Sequence, residues 1–215
     1  MNQQPLPFPV ETRYGRADFL LSDSNCEALE WVERWPEWPA RAFVLYGPPG
    51  SGKTHLAHLW RERAGAALIE GRALTKPEEL PAIVAVDNAD WAAERALLHL
   101  YNFCLEKGGS LLLTTSAAPA ALPLALADLA SRLRALPVAG IGPPDDELLA
   151  AVLLKHFADR GIGVAPGLVA YLVPRIERSL AAVAGIAAEL DRRALAAGRP
   201  VTIRLARAVL AEAAS

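Results

Sequence analysis

Along the first 140 residues, continuous apolar runs alternate with stripes of helical period; beyond them only the helical stripes remain. Ala42-Phe-Val-Leu-Tyr46 is a β-rich run that leads straight into glycine. Gly52 to Ala64 repeats apolar residues at helical spacing (Leu56, Leu59, Trp60) and is closed by Gly65. Ala67 to Glu70 reads as a short strand. Ile83-Val-Ala-Val86, ended by Asp87, is the unbroken run expected of a parallel strand buried on both faces. Ala92 to Leu105 is helical in period, with Leu97, Leu98, Tyr101 and Leu105 on one side and Gly108-Gly109 beyond it. Leu111–Thr115 and Ala135–Val138 supply two further strands. Upstream, a helix is predicted from Ser22 or Ser24 to about Arg34, where Trp35-Pro36 stops it. Strands alternating with helices predict an α/β fold with a doubly wound parallel sheet.

The character changes at about Gly142. Four helices are predicted over Glu147–Asp159, Pro166–Val173, Ser179–Ala197 and Thr202–Ala213, the last capped by Thr202 after Pro200. The expected organisation is an extended tail over 1–12, an α/β domain over 13–141 and a small helical lid domain over 142–215. In the tail, Pro5, Pro7 and Pro9 alternate, and each biases the preceding residue towards extended geometry.

Composition narrows the class. The chain has 215 residues and a net charge of −2, with 53% hydrophobic residues and a mean hydropathy of +0.20. That is too apolar for disorder, and too evenly charged for a protein that coats DNA by charge alone. The longest uncharged run, residues 108–127, has the length of a membrane helix, but Pro119, Pro123 and its glycines and hydroxyls break it into a strand and a loop. The N-terminus has no basic stretch of the kind that opens a signal peptide. With two cysteines, Cys26 and Cys104, expected as small buried apolar residues, the sequence suits a reducing, cytoplasmic setting.

The strongest chemical signal is Gly47-Pro48-Pro49-Gly50-Ser51-Gly52-Lys53-Thr54, a full match to G-x-x-x-x-G-K-[ST]. Glycines let backbone amides curl around a β-phosphate, Lys53 reaches β/γ-phosphate oxygens, and the Thr54 hydroxyl ligates Mg²⁺. The helix that begins there turns its positive end to the anion. A chance Gly/Pro turn would lack the apolar strand before the motif and the amphipathic helix after it. Asp87, at the end of its apolar strand, stands where a carboxylate holds Mg²⁺ through water. The next residue is Asn88, and an amide cannot take a proton from water as a carboxylate can. The site is therefore expected to bind ADP or ATP, with Mg²⁺, better than it hydrolyses ATP, unless Asp90 substitutes.

A P-loop domain followed by a helical lid resembles the AAA+ layout, and shorter stretches narrow the likeness. Asp18-Phe-Leu-Leu-Ser-Asp-Ser-Asn25 resembles the segment ahead of the nucleotide pocket in the bacterial replication initiator DnaA. Leu111-Leu-Leu-Thr-Thr-Ser-Ala-Ala-Pro119 resembles its sensor-1 strand, which implies that Thr115 or Ser116 faces the γ-phosphate; the initiator typically has Asp where Ser116 falls. Leu129-Ala-Ser-Arg132-Leu resembles the segment carrying its arginine finger. Glu177-Arg178-Ser-Leu180 resembles its sensor-2 helix, which implies that Arg178 reaches the phosphates from the lid. The likeness runs over about 14–213, and no helix-turn-helix DNA-binding domain is seen after the lid.

Gln3-Gln4-Pro5-Leu6-Pro7-Phe8 fits Gln-x-x-Leu-x-Phe/Leu, the pattern of peptides that dock on the bacterial sliding clamp. Leu6 and Phe8 would enter an apolar cleft, Gln3 would make orienting hydrogen bonds, and the prolines reduce the ordering cost. The combination resembles the Hda family of DnaA-related proteins. That resemblance implies a nucleotide-loaded protein on the clamp, reaching DNA only through it. There it stimulates ATP hydrolysis by DnaA through Arg132 in trans, and so prevents re-initiation. It also implies a bacterial, nucleoid-associated location, no membrane, and leaves a homodimer open. An alternative is a DNA-acting AAA+ ATPase of helicase-loader type, which would need a basic or aromatic groove. A small-molecule kinase would need a clamping lid within one α/β domain.

The remaining residues read as structural. His55, His58, His99 and His156 lack partners at metal-ligand spacing. Trp31, Trp35, Trp38, Trp60 and Trp91 read as packing residues. Arg192, Arg193, Arg199, Arg204 and Arg207 give the last two helices a basic, solvated face.

Overall fold

The computed structural model describes residues 14–213. Five strands form one parallel sheet: β1 (Ala42–Tyr46), β2 (Ala67–Glu70), β3 (Ile83–Asp87), β4 (Ser110–Thr115) and β5 (Val138–Gly140), in the order β2-β3-β4-β1-β5. Helices α1 (Cys26–Glu33) and α2 (Lys53–Ala64) cover one face, and α3 (Glu94–Glu106) and α4 (Ala127–Arg134) the other. The two-residue period of the strands explains both cores. Phe43, Leu45, Ala85 and Leu112 turn to α1 and α2, while Ala42, Val44, Val84, Val86, Leu111 and Leu113 turn to α3 and α4.

The α1/α2 face is unusually aromatic. Trp31 and Trp38 pack on Phe43, each with ring centroids 5.3 Å away, and Trp38 stacks on the fully buried Trp60. Buried Trp38 donates to Trp31 O and partly buried Trp35 to Ser110 Oγ, so both indole N–H groups are satisfied. Trp91 departs from the packing reading: it is half exposed, under the Arg72 guanidinium.

Beyond the sheet, α5 (Asp146–Asp159), α6 (Leu168–Leu172), α7 (Leu180–Ala197) and α8 (Ile203–Ala213) enclose a core of their own, with Leu149, Leu153, Phe157, Leu172, Val183 and Leu190 all buried. Their starts are set by side-chain caps: Asp145 accepts from Leu148 N, Ser179 from Ala182 N and Thr202 from Leu205 N. Arg193 bridges Glu189 and Glu212, and Arg192 pairs with Glu189, so part of the expected basic face is neutralised.

Three local expectations change. The last strand runs over Val138–Gly140 rather than 135–138, because Ala135 caps α4 and the ladder to β1 starts only where Pro137 O accepts from Val44 N. Helix α4 lies in a stretch for which the sequence pattern predicted no element; Glu94 holds the chain just ahead of it by accepting from Ala125 N and Leu126 N. Cys104 is buried, and burial pushes its thiol up to about 11, but Cys26 is exposed at the start of α1. The segment at 110–115 is a buried strand, and among the described residues no helix is long and apolar enough to cross a membrane.

Leu112 lies at the sheet centre and is fully buried. Leu112→Ala is expected to lower the free energy of unfolding by about 3 kcal/mol, measured as a shift in urea midpoint at unchanged slope.

Candidate functional site

The site forms where the C-terminal ends of the strands meet the start of α2. After β1 the chain turns through residues 47–52, with Gly50 and Gly52 at positive φ (69° and 107°), and enters α2 at Lys53. Helix α2 has no side-chain N-cap and no acidic residue in its first turn, so its amide end is open to an anion. Lys53 is buried and donates to Gly47 O (2.7 Å) and Pro48 O (2.9 Å). Burial holds its pKa below the ordinary 10.5, with the charges of Asp87 and Asp90 opposing that shift. Ser51 Oγ is buried with no hydrogen-bond partner. A buried cation, an orphaned hydroxyl and an uncapped helix end converge on one loop, and that donor set fits a phosphate.

Strand parity brings the acidic groups to the same place. Asp87 shares the α2 face with Ala85, and Thr114 shares it with Leu112. Asp87 accepts from Thr54 Oγ1 at 2.8 Å and from Thr114 Oγ1 at 2.5 Å. Thr114 Oγ1 in turn accepts from Asn88 N at 2.8 Å. Thr54 and Asp87 are therefore in direct contact, an oxygen pair suited to a hard divalent cation such as Mg²⁺. Asn88 adopts a left-handed conformation (φ 51°) and turns its amide to Glu70, the last residue of β2.

The expected sensor residues lie differently. Thr115 falls on the opposite parity and donates to Ala117 O, whereas its neighbour Thr114 touches Asp87. Ser116 donates from both N and Oγ to Asp90 Oδ2, so Asp90 is committed to that loop. Arg178 donates to Asp146 (2.7 Å) and Pro144 O (3.3 Å), near the start of α5, instead of turning to the loop. Arg132 pairs with Asp128 at 2.8 Å and lies 5.6 Å from the Tyr101 ring centroid, with no partner in the loop. Gln3, Leu6 and Phe8 lie outside the described residues. Thr114 and Glu70 were not singled out from sequence, since strand register brings them to Asp87.

Two other segments close over the loop. The lid touches it directly: Leu180 N donates to Gly50 O at 2.8 Å. A Cβ on Gly50 would come within 2.8 Å of Ser179 Cβ. The segment ahead of α1 lies along α2, where Tyr14 stacks on His58 (3.9 Å), Phe19 meets the His55 ring edge-on and His55 Nε2 donates to Gly15 O. Asp18 of this segment pairs with Lys155 of the lid at 2.7 Å, and Gly142 N donates to Ser24 O.

Residues 145–210 match the family model described as Hda, lid domain. The whole fold is similar to domain III of the Thermotoga maritima replication initiation protein DnaA, at 17% identity and a TM-score of 0.79 over 93% of this chain and 96% of that one. AMPPCP-bound DnaA from Aquifex aeolicus is similar at 15% identity and a TM-score of 0.65, covering 80% of this chain and 63% of that one. The Thermotoga maritima RuvB Holliday junction branch migration motor follows at 14% and 0.61, covering 77% and 59%. The likeness to these structures is one of fold, and over residues 145–210 the chain resembles the lid domain of the Hda family.

Gly50→Ala combines a backbone conformation that L side chains rarely adopt with a clash against Ser179. It is expected to open the seam between lid and loop, read as faster amide exchange at Leu180 with the lid core still protected. Burial holds the pKa of His55 below its ordinary 6.5, and that of His156 likewise. The unfolded chain then binds more protons than the folded one in the window just below pH 6.5. This contribution to stability is complete above 6.5 and declines as pH falls through that window. His55→Asn is expected to flatten the decline in thermal midpoint between pH 7 and 5.5.

Proposed function

We propose that this protein is a nucleotide-bound regulator of replication initiation that docks on the DNA sliding clamp and stimulates ATP hydrolysis by DnaA. The observation that carries this reading is the match of residues 145–210 to the Hda lid domain, attached to a DnaA-like core. The loop at 47–54 would hold the phosphates of ADP or ATP through its amides, Ser51 and Lys53, and Thr54 and Asp87 would hold Mg²⁺. Similarity to an AMPPCP-bound initiator supports a nucleotide in that place. Asn88 beside Asp87, with Asp90 committed to Ser116, supports weak hydrolysis by the protein itself.

In this reading Arg132 acts on the partner rather than on its own site. It sits in the last turn of α4 with its side chain 39% exposed, aligned by Asp128 and Tyr101. A guanidinium delivered in this way stabilises the charge that develops on the transferring phosphoryl group, an effect of about 10³–10⁵-fold in general. Gln3, Leu6 and Phe8 would tether the protein to the clamp, and Arg178 would contact nucleotide by exchanging its Asp146 partner for phosphate. Ser116, held by Asp90, would line the sensing end of the site.

One observation favours the second reading, a DNA-acting ATPase of helicase-loader type: Arg72 stacks over the half-exposed Trp91 with 4.3 Å to the ring centroid, a pair able to hold an unstacked base. The two readings separate in one assay of DnaA-ATP hydrolysis with the clamp loaded on DNA. The wild type is expected to stimulate hydrolysis, and Arg132→Ala, or Gln3→Ala with Leu6→Ala, to lose that stimulation. Full stimulation by both variants would sink the finger and the tether. Rapid turnover by the protein alone on single strands would favour the loader.

A further inference from the structure

Residue 88 leaves the site with a single carboxylate in its own strand, yet a second one stands beside it. Glu70 ends β2 and is the Cα partner of Asp87 in the parallel register, so the two side chains share a level and a face about 4.8 Å apart at the backbone. Parity agrees along both strands: Leu68 and Ala85 border the α2 core, and Ile69 and Val86 the opposite one. Glu70 therefore points to the face on which Thr54, Asp87 and Thr114 meet at the start of α2.

The carboxylate is held there by the residue that replaces the missing acid. Asn88 Nδ2 donates to Glu70 Oε1 and Oε2 at 3.3 and 3.2 Å. The left-handed backbone of Asn88 makes this reach possible, and its amide bond to Thr114 ties it to the hydroxyl that donates to Asp87. Among the described residues no cation pairs with Glu70 within 4.0 Å, and one neutral amide leaves a carboxylate with unused acceptor positions. The neighbouring loop already carries a ligand signal of its own in the buried, unpartnered Ser51 hydroxyl.

We infer that Glu70, presented by Asn88, is the second carboxylate of the nucleotide site and faces the triphosphate end, where it orients water. The inference rests on the nucleotide reading given above. The carboxylate has in effect moved from the tip of β3 to the tip of β2, with the amide and the acid exchanged between neighbouring strands. A carboxylate so placed repels the additional charge of a γ-phosphate, and this gives a readout that requires no turnover.

The decisive measurement is the affinity of the full chain, with Mg²⁺, for ADP and for AMPPCP. Glu70→Gln is expected to leave ADP affinity and thermal midpoint unchanged and to raise the AMPPCP-to-ADP affinity ratio roughly threefold to tenfold. Glu70→Asp should restore the wild-type ratio. An unchanged ratio in Glu70→Gln with normal ADP binding would overturn the assignment of Glu70 while sparing the nucleotide site. A changed ratio in Asp90→Asn alone would move the role to Asp90. Failure of the wild type to bind either nucleotide would overturn the site reading itself, and Glu70 with it.

Discussion

The carboxylate of Asp87 is the point on which the site depends. It is nearly buried at the end of a central strand, where an ionised group is tolerated only if donors surround it. Thr54 supplies one donor from α2 and Thr114 another from β4, while the ammonium of Lys53 lies close enough for mutual charge stabilisation. Thr114 accepts from Asn88 N, and Asn88 reaches Glu70, so one hydrogen-bonded chain crosses the tips of three strands and the start of a helix. Networks of this kind are costly when broken, because each member then leaves a buried partner unsatisfied. The sheet order makes the chain possible: β2, β3 and β4 are adjacent and parallel, so their last residues finish at one edge.

Much of the architecture was legible because central parallel strands advertise themselves. Ile83–Val86 and Leu111–Leu113 are apolar without interruption since both faces are covered. The lid was legible through its caps, with Ser179 and Thr202 marking helix starts that the structure keeps. Helix α4 was harder to see. It has eight residues in a segment rich in alanine, leucine and proline, and the chain just ahead of it is held by Glu94, some thirty residues away. The shift of β5 has the same origin, since the end of α4 consumes Ala135 and the ladder begins beyond Pro137.

The candidate site divides along the same line. The loop at 47–54 is contiguous, so its chemistry is written in one stretch of sequence. Thr114 and Glu70 belong to no local motif and come together with Asp87 only through register, which a single sequence does not display. Resemblance to a sensor strand drew attention to Thr115 and Ser116; parity sends Thr115 to the other face and gives Ser116 to Asp90. Arg178 illustrates a different gap. Its position in the lid was readable, but its partner Asp146 lies at the start of another helix, and long exposed side chains choose among partners by small margins.

The bond from Leu180 N to Gly50 O has a mechanical meaning. Leu180 opens an 18-residue helix, which at 1.5 Å per residue is a rod about 27 Å long. One end of the rod is pinned to the loop, and the other carries the side chains around Glu189 and Arg193 that tie it to α8. Close packing makes such a rod stiff, so it transmits displacement instead of absorbing it. A shift of the loop by a fraction of an ångström, too small to alter any surface near it, is magnified at the distal end of the rod. The outer rim of the lid is thus joined to residues 47–52 through a single stiff element.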